Sequence, residues 1–133
     1  MRVLLISGSL PPMKCGIGDY TRQLAEALAS RAGVTVGVLT DAAAAASAAE
    51  RRFEVLPLAH GWRFADLGNL LRAVGAWKPD IAHMQFPGQG YGRSKLPWLL
   101  PSILAMHGLP VVQTWHEYVV QRSVPELKHS VLN

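Results

Sequence analysis

The sequence is short of several things, and each shortage excludes a class of protein. It has one cysteine, Cys15, so an internal disulfide and a cysteine-based structural zinc site are excluded. No run approaches the roughly 20 apolar residues that cross a bilayer. The N-terminus lacks the charged, apolar and cleavage-site regions of a secretion signal, and the apolar run from Val3 is short and strand-like, so the expected address is the cytoplasm. Clustered basic charge is scarce too. The net charge of +4 is scattered, with Arg51-Arg52 the only adjacent pair, which argues against a nucleic-acid partner. There is no Gly-Lys-Ser/Thr of a Walker loop and no H-x-x-x-H spacing, so neither a P-loop nucleotide nor a metal is expected.

What remains is a globular composition. Half of the 133 residues are hydrophobic and 17% are charged, enough for one domain with a sizeable core. Arg2–Ser7 reads as a buried strand, followed by a long loop, Gly8-Ser-Leu-Pro-Pro-Met-Lys-Cys-Gly-Ile-Gly18. Asp19–Leu28 reads as a helix with Tyr20, Leu24, Ala27 and Leu28 on one face. Val34–Thr40 is a second strand, and the alanine run Asp41–Glu50 a marginal helix or a mobile loop. Phe53–Pro57 is a third strand, placed at an edge because Pro57 lacks a ladder donor. Leu58–Trp62 is a connector.

A helix then spans Arg63–Lys78, with Leu67, Leu70, Leu71, Val74 and Trp77 on its apolar face. Asp80–Phe86 is the fourth strand, and Pro87–Ser94 a glycine-rich loop. Leu96–His107 reads as a buried helix whose regular part starts near Pro101, since an interior proline removes a hydrogen bond. Leu109–Trp115 is the fifth strand, with His116-Glu117 at its end. Strict alternation of strand and helix predicts an α/β fold: a Rossmann-like, doubly wound parallel sheet in three layers, order 3-2-1-4-5.

Ligands of such sheets bind beyond the carboxyl ends of the strands. Three segments with unusual chemistry fall there: Gly8–Gly18, His83–Gly92 and His116-Glu117. A glycine-rich loop opening a helix presents free N–H groups at a positive dipole end, which suits a phosphate; read blandly, it is a connector. Gly16 and Gly18 come too late for a dinucleotide fingerprint. Cys15 has no histidine near in sequence, so a small residue in a tight turn explains it better than a nucleophile. Asp19 suits a cap or a first helical turn. His83 and Gln85 share one face of the fourth strand, either lining a cleft or tied to neighbouring backbone. His60, His107 and His129 read as surface residues, and Trp98 and Trp115 lie near the presumed cleft.

These residues carry a resemblance. Met1-Arg-Val-Leu-Leu-Ile, Pro11-Pro12, Cys15-Gly-Ile-Gly-Asp-Tyr20 and Leu24-Ala-Glu-Ala-Leu28 resemble the opening of family-four GT-B glycosyltransferases. Lys78-Pro-Asp-Ile-Ala-His-Met-Gln85 and Leu109-Pro-Val-Val-Gln-Thr-Trp-His-Glu117 resemble later strands of that family's N-terminal domain. The resemblance implies a retaining, metal-independent hexosyltransferase that uses a nucleotide-sugar donor and no other cofactor. It implies that Cys15, Gly16, Ile17 and Gly18 approach the donor diphosphate, with Cys15 where the family usually has a glycine. His116 matches the family's histidine beside the transferred sugar, with Glu117 as its acidic neighbour. Asp19, Tyr20, His83, Gln85 and Tyr91 are the acceptor-side candidates.

The implied partners are a sugar, glycolipid or polysaccharide-precursor acceptor, and a C-terminal donor-binding domain or partner chain, without which no turnover is expected. Residues 1–133 are then one incomplete N-terminal half of a two-domain enzyme. Peripheral contact with the inner face of a membrane belongs to the same reading. Two other classes compete: a flavodoxin-like module for a phosphorylated small molecule, and an interaction domain that docks a protein or membrane through Leu96–Met106.

Overall fold

A computed structural model describes residues 1–48, 52–86 and 91–116. Five parallel strands form one sheet: β1 (Arg2–Ile6), β2 (Thr35–Asp41), β3 (Glu54–Ala59), β4 (Ile81–Phe86) and β5 (Val111–Trp115), in the order β3-β2-β1-β4-β5. Among the described residues three α-helices connect them: α1 (Gly16–Ala29), α2 (Leu67–Trp77) and α3 (Leu96–Met106). The predicted class and strand order are both present.

Strand alternation sorts the core into two layers. Leu4 and Ile6 of β1 and Ala82, Met84 and Phe86 of β4 pack with Leu70, Val74 and Trp77 of α2 and Leu96, Leu100 and Leu104 of α3. On the other face Val3, Leu5, Val36 and Val38 pack against Ala25 of α1. Strands buried from both sides read as continuous apolar runs, as the parallel sheet demands. Going from β1 the chain turns one way to β2 and β3, and it returns on the other side of β1 for β4 and β5. The switch in direction therefore lies between the ends of β1 and β4.

Several boundaries differ from the sequence expectations, each for a physical reason. Helix α1 starts at Gly16, not Asp19, because Cys15 is extended (φ −157°, ψ 128°) and helical geometry begins at once after it. Its buried face is Gly18, Thr21 and Ala25, so Tyr20 and Ala27 point outward. The alanine run Ala42–Ala48 winds as a 3₁₀ segment. Strand β3 runs on to Ala59, with a register shift opposite Thr40 and Asp41 that absorbs Pro57 at this edge. Phe64–Asp66 is a 3₁₀ turn before α2, held where the Asp66 carboxylate accepts the N–H groups of His60 and Arg63, both at 3.0 Å. Lys78 ends α2 in a left-handed conformation before Pro79.

Helix α3 begins at Leu96 and runs through Pro101. Pro101 sacrifices one backbone bond, while Leu96, Pro97, Leu100, Pro101 and Leu104 bury the helix along one side and hold it regular. Its other side is open, so the helix expected to be buried is buried along one side only. Glu117, Pro87–Gly90 and His129 lie outside the described residues.

Candidate functional site

The carboxyl rim at the switch point is built on a buried polar knot. The Ser7 hydroxyl, just past β1, donates to the Ser9 carbonyl at 2.8 Å. Thr21 on α1 lies 3.1 Å from that hydroxyl and donates to the Ile17 carbonyl at 2.7 Å. These bonds pull the loop Gly8–Leu10 inward, and Ser7–Leu10 is buried throughout. Tyr91 closes the crevice between β1 and β4: its hydroxyl lies 2.9 Å from the Gln85 carbonyl and 3.2 Å from the Ile6 carbonyl. Its ring stands edge-on to Trp62, 4.8 Å between centroids. At 2% exposure, Tyr91 is a strut beneath the rim. Burial raises its pKa far above the phenol range, against a backbone hydrogen bond from Gly8.

Above this strut the residues of β4, β5 and α1 converge. His116 Nε2 lies 2.8 Å from Gln85 Oε1, and the His116 N–H donates to the Phe86 carbonyl at 2.7 Å. Tyr20 of α1 meets the His116 ring edge-on, 4.8 Å between centroids at 75°. His83 Nε2 pairs with the Thr114 hydroxyl at 2.6 Å, so its partner is a side chain rather than the backbone. Burial, and then the neighbouring His116, lower the pKa of His83 below its ordinary 6.5; it is neutral at pH 7. Gln85 is fully buried, and its amide nitrogen has no hydrogen-bond partner among the described residues.

The N-terminus of α1 stands one turn from Tyr20. The first intrahelical bond is Asp19 N–H to the Cys15 carbonyl at 3.1 Å, so Gly16, Ile17 and Gly18 have N–H groups beyond the helical ladder. Burial opposes ionisation of the Cys15 thiol, as does Asp19, but the Ser9 hydroxyl and the N–H groups of Gly18 and Ile17 outweigh them. The net effect lowers the Cys15 pKa from its ordinary 9.0. Those N–H groups therefore already favour negative charge at this spot. Asp19 is exposed in the first turn.

The structure thus brings together His116, Gln85, His83 and Tyr20, with Cys15, Asp19 and the Gly16–Gly18 turn close by on α1. Sequence reading missed Thr114, which alternation places on the His116 face of β5; the register sets it opposite Gln85, and only the side-chain geometry reveals it as the diagonal partner of His83. It also missed the Ser7–Thr21 knot. Trp98 and Trp115, expected near the cleft, both pack on Phe86 at the end of β4, Trp98 edge-on and Trp115 tilted, with centroids 4.6 and 4.5 Å away. His60 and His107 are surface residues, His107 with Nδ1 2.8 Å from the Ile103 carbonyl. Among the described residues no three His, Cys, Asp or Glu side chains converge as a metal-ligand set.

These features define a Rossmann-like domain that presents polar groups beyond the strand ends, at the switch in strand order. Residues 15–131 match the glycosyl transferase 4-like domain, and the chain belongs to that family, an N-terminal module of the GT-B-type glycosyltransferases. No curated protein matches it significantly.

Proposed function

We propose that this domain forms the acceptor-side wall of a cleft in which a hexose passes from a nucleotide-sugar donor to a sugar, glycolipid or polysaccharide-precursor acceptor. The observation that carries the reading is one assembly: the Gln85–His116 pair at 2.8 Å, Tyr20 against it, and the α1 N-terminus one turn away. As the sugar–phosphate bond breaks, negative charge grows on the leaving diphosphate. The N–H groups of Gly16, Ile17 and Gly18, which lie outside the helical ladder at a positive helix end, favour that charge without a metal. With Gln85 Oε1 as acceptor, His116 Nε2 carries a proton, and Nδ1 of the neutral ring is left to accept from a hydroxyl of the reacting sugar. Gln85 acts as a positioning residue that sets the tautomer and the ring angle.

Asp19, Tyr20 and His83 lie where an acceptor would be held, and Glu117 follows His116 in sequence. Entry of the acceptor on the face that the diphosphate leaves gives retention of configuration. Contacts to the nucleotide come from a donor-binding domain, so this domain alone holds ligand without turning it over.

The test is His116→Ala assayed with the donor-binding domain present. The expected loss in kcat is about a hundred- to a thousandfold, with an unchanged unfolding transition. Near-normal turnover would overturn the assignment. Titration of the isolated chain with simple sugar phosphates examines the rival reading: tight binding there, with no transfer when both domains are combined, makes it a phosphate-binding module instead.

A further inference from the structure

Helix α3 carries no charged side chain between Leu96 and Met106. Its inner stripe is core, but its outer stripe, Trp98, Leu99, Ser102, Ala105 and Met106, faces solvent. Trp98 is 59% exposed, Leu99 49% and Met106 85%. The water-facing side of a helix ordinarily carries charge; here it carries large apolar groups. The charge sits around the helix instead. Arg93 and Lys95 precede it, both exposed, and Lys95 shares a shallow depression with Trp98 and Leu99. At the far end Lys78 and His107 border one groove with Leu104, and Arg63 and Arg72 are exposed on the α2 side of the same layer.

Little offsets these cations. Between His60 and Trp115 the acids are Asp66 and Asp80. Asp66 is buried and accepts two backbone N–H groups, and Asp80 accepts the Arg2 N–H at 2.6 Å. On the same layer Glu54 accepts the Trp77 indole N–H at 2.7 Å. An uncharged apolar stripe ringed by Lys and Arg is complementary to one kind of surface, anionic headgroups above an acyl boundary. Tryptophan fits that boundary because its ring is apolar and its N–H is polar. We infer that α3 lies flat on an anionic lipid surface, with Trp98, Leu99 and Met106 entering the headgroup–acyl boundary and Arg93, Lys95 and Lys78 meeting lipid phosphates. Trp98 stands in the first turn of α3, edge-on to Phe86 at the end of β4. Docking in this way holds the His116 rim at the membrane, where a lipid-linked acceptor would be found.

The inference goes beyond sugar transfer and is read without it, by flotation of the whole chain with vesicles. The chain is expected to float with phosphatidylcholine vesicles containing phosphatidylglycerol, and not with phosphatidylcholine alone, and raised salt is expected to weaken the binding. Trp98→Glu/Leu99→Glu changes exposed positions but gives up the edge-on contact of Trp98 with Phe86, so a modest fall in melting temperature is expected, while binding by the folded variant falls about tenfold or more. Arg93→Glu/Lys95→Glu should lose the preference for anionic vesicles. Absence of binding to anionic vesicles, or equal binding by the folded Trp98→Glu/Leu99→Glu variant, overturns the inference. So does a dimer in sedimentation that this variant dissolves, which would assign the face to a second copy of the chain.

Discussion

Gly16 and Gly18 stand two residues apart in the first turn of α1 and have opposite surroundings. A Cβ on Gly18 would lie 3.2 Å from the Leu10 Cα and N and from the Ser9 carbonyl carbon, whereas one on Gly16 would meet nothing within 4 Å. Backbone cannot step aside as a flexible side chain can, so Gly18→Ala is expected to destabilise by about 1–3 kcal/mol. Gly16→Ala should leave stability unchanged or slightly raised, because alanine is the better helix former; urea denaturation of both variants checks the contrast. His83 offers a pH test. Its folded pKa is lowered by burial and by His116, so as pH falls below 6.5 the unfolded chain takes up a proton that the folded chain refuses. Stability is therefore complete above that pH and declines on acidification toward the lower folded value. Denaturation at pH 7.5 and 5.5 should show a smaller decline in His83→Asn than in the parent.

At the scale of elements, side chains at both ends of the sheet decide how helices seat. Trp77, the last residue of α2, donates its indole N–H to Glu54 of β3 at 2.7 Å. The Arg2 guanidinium lies 4.2 Å above its ring, and Arg2 Nε donates to its carbonyl at 3.0 Å. One side chain thus ties α2 to β1 and β3. Trp77→Ala should cost about 3–5 kcal/mol in chemical denaturation, the largest loss among these substitutions. The apolar period of α2 announced its face in the sequence, since Leu70, Val74 and Trp77 are the buried residues. That of α1 misled at Tyr20, which is 44% exposed. Helical spacing marks residues that share a side, but the close approach of Gly18 to the loop decided which side turned inward. In α3 the proline rule predicted a later start, and packing along Leu96, Leu100 and Leu104 overrode it.

For the whole molecule, the sheet order sets a gradient of protection. Among the described residues, strands β1, β2 and β4 have hydrogen-bonded neighbours on both sides, whereas β3 and β5 are edges, and most residues of β5 are exposed. Hydrogen exchange followed by mass spectrometry should find the slowest amides in β1 and β2, with β5 exchanging well before them. Equal protection across all five strands would mean that another element covers the β5 edge in solution.

The sequence alone determined the alternation of strand and helix, the parallel sheet and its order, and the placing of His116, Gln85 and the glycine turn at one rim. Those follow from local periodicity and from the handedness of crossovers, both of which are written in short stretches of chain. Only the tertiary structure decided which side chain meets which. Period two places His83 and Gln85 on one face but names no partner; packing of the whole sheet sets them opposite Val112 and Thr114, and their side chains reach diagonally along β5 to Thr114 and His116. The same long-range packing carried Tyr91 under the rim and turned Tyr20 out toward His116. Such contacts join residues far apart in the chain, and no local pattern encodes them.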